Sequence, residues 1–213
     1  MQDQVPGLGS PHYACLYAWL SGSFARELSD VQIAELTSPE LVAWLAVLEP
    51  IPALTTPVVQ FKQAVQTLQQ RPDARLELAA DFAGLFLMTE KSAALPYSSC
   101  YQLESSRFKQ EPSAQMKALL AQSGMAVASS FGEPEDHLAL VVELLSHLNF
   151  ALTEAGDERR ELLELRSEAL VHCMSWLPEF TQRCSSNDNF GFYAALSGLL
   201  LALMRLDAST PMQ

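Results

Sequence analysis

Three features of the sequence predict an all-α fold. Leucine and alanine dominate an apolar fraction of 49%, whereas isoleucine occurs only at Ile33 and Ile51. Helix formers therefore outweigh the β-branched residues that favour strands. Serine or threonine followed by proline, a helix-start signal, recurs at Ser10-Pro11, Ser38-Pro39 and Thr56-Pro57. Between these starts apolar residues return every three or four positions, as on a helix with one buried face. A chain of 213 residues buries roughly 70% of its unfolded surface, enough to fold without disulfides or a structural metal.

The elements follow in order. The first helix carries Tyr13, Leu16, Tyr17, Leu20 and Phe24 on one face. Ser29 with Gln32 reads as a capping box for a short second helix. The third holds Leu41, Trp44, Leu45 and Leu48 and is closed by Pro50 and Pro52, and the fourth holds Phe61, Val65 and Leu68. Residues 73–88 form a fifth, striped by Leu78, Phe82, Leu85 and Phe86, with Arg75, Glu77 and Asp81 on a polar face. Residues 89–110 show no helical pattern. They read either as a functional or mobile loop or as an ordered crossing segment that pins two aromatic rings into the core.

A helix over 113–123 ends at Gly124, and the small residues of 125–132 form a hinge. Pro134 restarts the helix, which runs to about Leu152. Gly156 separates it from a charged helix over 157–177, a short helix follows at 178–184, and the very apolar 190–206 must be buried. The sum is about nine helices, with no strand, repeat or low-complexity tract. The domain reading is an N-terminal helical lobe (1–124), a hinge (125–133) and a C-terminal helical lobe (134–213). Gly132 lies in the hinge and Pro134 at its exit.

Thirteen basic and 25 acidic residues give a net charge of −12. That excludes nucleic acid and anionic membrane surfaces as natural partners. It favours a basic partner that associates faster at low salt. The charge is concentrated: residues 133–168 hold ten acids and three arginines, a net of −7. No run of some 18 apolar residues predicts a membrane span, and the first ten residues lack the basic and apolar regions of a secretory signal. A cytoplasmic protein with reduced thiols is expected.

Catalytic signals are weak. No phosphate-binding loop, dinucleotide fingerprint or nucleophile elbow occurs. Cys15, Cys100, Cys173 and Cys184 have no zinc-ligand spacing and read as packing residues. Glu143 and His147 read as an ordinary helical pair, and Arg159-Arg160 as part of a salt-bridged face. His12 and His172 show no evident partner. No enzyme activity, catalytic residue, cofactor or metal is expected.

The distinctive stretch is Glu133-Pro134-Glu135-Asp136-His137. One reading is a helix cap, with Pro134 at the first helical position and Glu135 and Asp136 in the first turn, where carboxylates complement the helix dipole. The other is an exposed carboxylate cluster that receives guanidinium groups through bidentate hydrogen bonds, with Asp136 orienting a His137 that titrates near neutral pH. The two readings are compatible, and the residues alone leave both open.

Several stretches resemble the TorD family of cytoplasmic chaperones for molybdenum-containing oxidoreductases. They are 13–20, 73–88, Pro96-Tyr97-Ser98-Ser99-Cys100-Tyr101, Glu133-Pro134-Glu135-Asp136-His137-Leu138, Trp176-Leu177-Pro178-Glu179-Phe180, and the segment opening Phe190-Gly191-Phe192-Tyr193. The resemblance extends from about Tyr13 to Leu206, and the E-P-x-D-H element after a hinge is its most specific part. It implies an all-helical fold of two lobes that exchange between chains, giving a domain-swapped homodimer beside the monomer. The implied partners are apo trimethylamine N-oxide reductase, before its molybdenum cofactor is inserted, and the reductase's twin-arginine signal peptide. The implied peptide contacts are Asp136 and His137, with Glu133 and Glu135 in support. Two rival classes are a GTP-binding or enzymatic helical protein that uses the same acidic and histidine cluster, and a purely structural helical adaptor.

Overall fold

The computed structural model describes residues 8–88, 93–101, 111–128 and 131–209. Among these residues it has ten α-helices: α1 (Ser10–Ala25), α2 (Asp30–Glu35), α3 (Pro39–Leu48), α4 (Thr55–Gln69), α5 (Ala74–Phe82), α6 (Glu111–Gln122), α7 (Leu138–Glu154), α8 (Arg159–Met174), α9 (Leu177–Asn187) and α10 (Phe192–Ser209). No strand occurs among the described residues, and the all-α expectation holds. Tyr97 and His137 form a single antiparallel bridge.

Local signals set many of the boundaries. Ser29 and Gln32 form the expected reciprocal capping box on α2, and the Ser38 hydroxyl accepts the Leu41 N–H at the start of α3. At α1 the Gly9 carbonyl accepts the N–H groups of His12 and Tyr13, while the Gly9 N–H donates to His12 Nδ1. His12 is thus engaged, contrary to the sequence expectation. Gly124 ends α6 with φ of 73°, a left-handed conformation that glycine adopts without steric cost.

The chain divides into two compact units, each discontinuous in sequence. The first comprises, among the described residues, 26–88, 93–95 and 180–206. Its core is aromatic. Phe82 and Phe86 both meet the Tyr193 ring edge-on, at 5.7 and 5.0 Å, and Phe86 also stacks on Phe180. The single helix expected over 73–88 is α5 followed by a wide π turn at Ala83–Leu87. Helix α10 is long and apolar enough to cross a membrane by length and composition. Its Tyr193, Leu196, Leu200 and Met204 are nevertheless buried side chains of the core.

The second unit comprises, among the described residues, 8–25, 96–101, 111–128, 131–179 and 207–209. Its centre is α7, with 11 of its 17 residues buried. Helix α1 packs along it, tied by two reciprocal bonds: Ser21 Oγ donates to the Ala139 carbonyl at 2.9 Å, and Ser146 Oγ to the Ala14 carbonyl at 2.8 Å. Small side chains at the contact let the two backbones approach. Arg166 reaches Asn149 Oδ1 and pairs with Asp207, which also accepts the Tyr17 hydroxyl at 2.8 Å. All four groups are buried.

Candidate functional site

The stretch 133–137 does not open a helix. Helix α7 begins at Leu138, and its N-cap is His137, whose Nδ1 accepts the Ala139 N–H at 3.1 Å. The expectation that Pro134 occupies the first helical position, with Glu135 and Asp136 in the first turn, is therefore corrected. The cause is long-range pairing. Pro96 O accepts the Leu138 N–H at 2.7 Å, and Asp136 O accepts the Ser98 N–H at 3.2 Å. These bonds hold His137 extended against Tyr97 and delay the helix by one turn. Within the turn, Pro134 O accepts the His137 N–H.

Nor is the cluster exposed as a whole. Asp136 and His137 are each only 3% exposed. One Asp136 oxygen accepts the Ser99 N–H at 3.0 Å and the Ser98 hydroxyl at 3.5 Å. Asp136 thus fastens the 96–101 segment and does not orient His137. The His137 ring sits edge-on between Tyr97, at 5.1 Å, and Phe131, at 5.5 Å. Burial lowers its pKa to about 4 against the opposing pull of Glu133 and Asp136. It is neutral at pH 7, with its proton on Nε2, which corrects the expectation of titration near neutrality.

Glu133 and Glu135 lie on the half-exposed rim. Tyr97 donates its hydroxyl to Glu133 Oε2 at 2.6 Å, and burial together with this carboxylate pushes the phenol pKa well up. Ser113 donates to Glu135 Oε2 at 3.0 Å. A backbone N–H and that hydroxyl hold the Glu135 carboxyl below its usual range. Both rim carboxylates retain free lone pairs, since each oxygen accepts more than one donor.

The structure therefore unites the four predicted residues in one turn, two on the rim and two beneath it. Gly132 and Pro134 are exposed beside them. Sequence reasoning missed Tyr97, Ser98 and Ser99 as their partners. These lie 36 to 38 residues away, and no spacing rule reaches that far. The pre-proline Leu95 and the paired tyrosines were the available signal. Tyr101 does pin into the core, stacked on Trp176 at 5.4 Å, as the crossing-segment reading expected. The rest of that segment, at 89–92 and 102–110, lies outside the described residues. His172, expected to have no partner, feels the Asp136 carboxylate. Cys173 and Cys184 are buried as expected, but Cys15 is exposed. Among the described residues no three His, Cys, Asp or Glu side chains gather at metal-binding spacing.

The family model described as nitrate reductase delta subunit matches residues 51–182. A protein of Salmonella arizonae named "Chaperone protein TorD" is 50% identical over 202 residues, covering 95% of this chain and 92% of its own. A protein of the same name from Salmonella schwarzengrund is 50% identical over 205 residues, covering 96% and 94%. The chain belongs to the TorD family of chaperones. In this TorD-family chain the E-P-x-D-H element is the turn just described. Its acid and histidine pack inward and its two glutamates line the rim.

Proposed function

We propose that the protein is a dedicated cytoplasmic chaperone that binds apo trimethylamine N-oxide reductase and its twin-arginine signal peptide. It keeps the reductase competent for molybdenum-cofactor insertion before export. The observation that carries this reading is the 50% identity, along nearly the whole chain, to proteins named for TorD chaperone function. The mechanism is differential binding: the apo-reductase is held more tightly than the matured enzyme, and release follows when that difference is lost. No catalysis and no cofactor is involved. The protein works as a monomer and as a homodimer that exchanges its two lobes about the 125–133 hinge at Gly132 and Pro134.

The anionic rim supports a role for the turn in the peptide contact. Glu133 and Glu135 offer carboxylate oxygens to paired guanidinium groups. Asp136 and His137 set the frame on which those two side chains stand. Titration calorimetry of the whole chain with the signal peptide, and separately with apo-reductase lacking it, tests the proposal. Glu133→Gln with Glu135→Gln keeps the acceptors for Tyr97 and Ser113 but removes both charges. It is expected to weaken the signal peptide about tenfold, the worth of one charge-assisted hydrogen bond, and to leave the truncated reductase unaffected. Absence of binding to both ligands overturns the proposal.

A further inference from the structure

Helices α1 and α7 run antiparallel, because Ser21 meets Ala139 at one end of their contact and Ser146 meets Ala14 at the other. Cys15 and Gly22 directly follow Ala14 and Ser21 in α1, and His147 directly follows Ser146 in α7. One residue is about 100° of helical turn. In an antiparallel pair, that step past the contact row turns both helices to the same side. The two outward rows therefore share one face of the second unit: Cys15, Ala18 and Gly22 on α1, and Glu143, His147 and Phe150 on α7. All are exposed except Gly22, which is half-buried. The α1 row is low, and a Cβ added at Gly22 would meet nothing within 4 Å. Phe150 stands up from the α7 row, a large apolar ring left 63% exposed by its own chain.

We propose that this α1–α7 face docks on the same face of a second copy, giving a two-fold dimer of whole chains. Self-complementarity selects the occupant. The two serine bonds put Cys15 level with Leu145, midway between Glu143 and His147. A two-fold axis at that level lays each helix antiparallel over its own counterpart. Glu143 of each copy then faces His147 of the other, a carboxylate against an imidazole N–H. Among the described residues no ion pair engages either side chain within its own chain. Phe150 of each copy falls between Ala18 and Gly22 of the other, the low stretch of α1. Over the length of the two helices the face measures roughly 24 by 20 Å, or about 500 Å² on each copy. Twice that, about 1,000 Å², lies at the low end of specific interfaces and suits a weak, transient dimer. The contact differs from lobe exchange, because each α1 stays on the α7 of its own chain.

The test is sedimentation equilibrium of the whole chain over a range of concentrations. The unaltered protein is expected to dimerise with a Kd on the order of 10–100 µM. His147→Glu sets like charges against each other twice per dimer and is expected to weaken association about tenfold. Glu143→Lys combined with His147→Glu restores opposite charges and is expected to recover the dimer. Phe150→Ser removes the apolar ring and is expected to cost about tenfold as well. These positions are exposed, so helicity by circular dichroism stays that of the unaltered chain. The axis also brings the two exposed Cys15 thiols together. A short bismaleimide is expected to join the two chains of the dimer, and Cys15→Ser to abolish the crosslink. A monomer at every concentration, unchanged association in His147→Glu or Phe150→Ser, no recovery in the double variant, or a crosslink that survives Cys15→Ser overturns the assignment. A dimer formed by lobe exchange alone would ignore the charge swap, and that outcome overturns it too.

Discussion

Asp136 shows how one side chain reaches beyond its own neighbourhood. Its carboxylate accepts the Ser99 N–H from a segment 37 residues earlier in the chain. Removing that acceptor strands a partly buried donor, so Asp136→Ala is expected to cost about 1–3 kcal/mol. Urea unfolding measures the cost, and faster hydrogen exchange at the Ser99 amide locates it. An unchanged midpoint would show that the segment is held by its backbone pairing alone. The chemistry of the turn was legible in the sequence, because acids after a hinge and before an apolar run stand out. Its geometry was not. Local rules place Pro134 at a helix start, but the bonds from Pro96 and Ser98 are contributed from elsewhere in the chain and override them. His137 takes the capping role that the pattern assigned to the acids before it.

At the scale of the element, the start of α10 is the most heavily engineered helix end. Asp188 accepts the N–H groups of Phe190, Gly191 and Ala194, and Gly191 adopts φ of 91° to make the approach. Asp81, at the end of α5, is hydrogen-bonded to the same carboxylate. Burial and the Asp188 charge raise its pKa to about 7. The proton sits on Asp81, because the Asp188 oxygens already accept three N–H groups. Its pKa is higher in the folded chain than in the unfolded one. Its contribution is therefore fully present below about pH 4 and is lost as the pH rises through about 7. Asp81→Asn fixes the neutral state and keeps a donor for Asp188. Relative to the parent, this variant is expected to gain stability between pH 5 and pH 8 in paired urea titrations; a constant difference across that range would refute the shared proton. The sequence marked Asp81 only as part of a polar face. Its partner lies beyond four intervening helices, α6 to α9, and an amphipathic pattern says which side of a helix is buried, not what it meets. The same limit hid the π turn after Phe82, which lets Phe82 and Phe86 both face Tyr193.

For the whole molecule, composition was sufficient for the fold class and insufficient for the arrangement. Scarce β-branched residues and repeated helix starts foretold about nine helices, and the described residues hold ten. The pairing of α1 with α7 was not foretold, because serine-to-carbonyl bonds such as Ser21 to Ala139 leave no periodic trace. The charge of −12 acts at this scale too. On the proposed function, the summed field is expected to draw in a basic peptide before it meets any rim residue. Its association rate is expected to fall severalfold between about 30 and 300 mM salt, as the Debye length shrinks from roughly 18 to 6 Å. Stopped-flow fluorescence with the arginine-bearing peptide measures this, and a flat salt profile would leave the field without a role in capture.

The buried pair of Arg166 with Asp207 also bears on synthesis. The two are separated by 41 residues, and ribosomes add roughly 5–20 residues each second. Roughly 2–8 s therefore pass after the arginine codon is read before its counter-ion exists. During that interval a closed second unit would enclose an uncompensated guanidinium, a penalty on the order of 3–5 kcal/mol. Early closure of the second unit is therefore disfavoured until its last helix is made, and the complete polypeptide is expected to lock α1, α7 and α8 together. Translation order thus sets when a chaperone acquires its own fold.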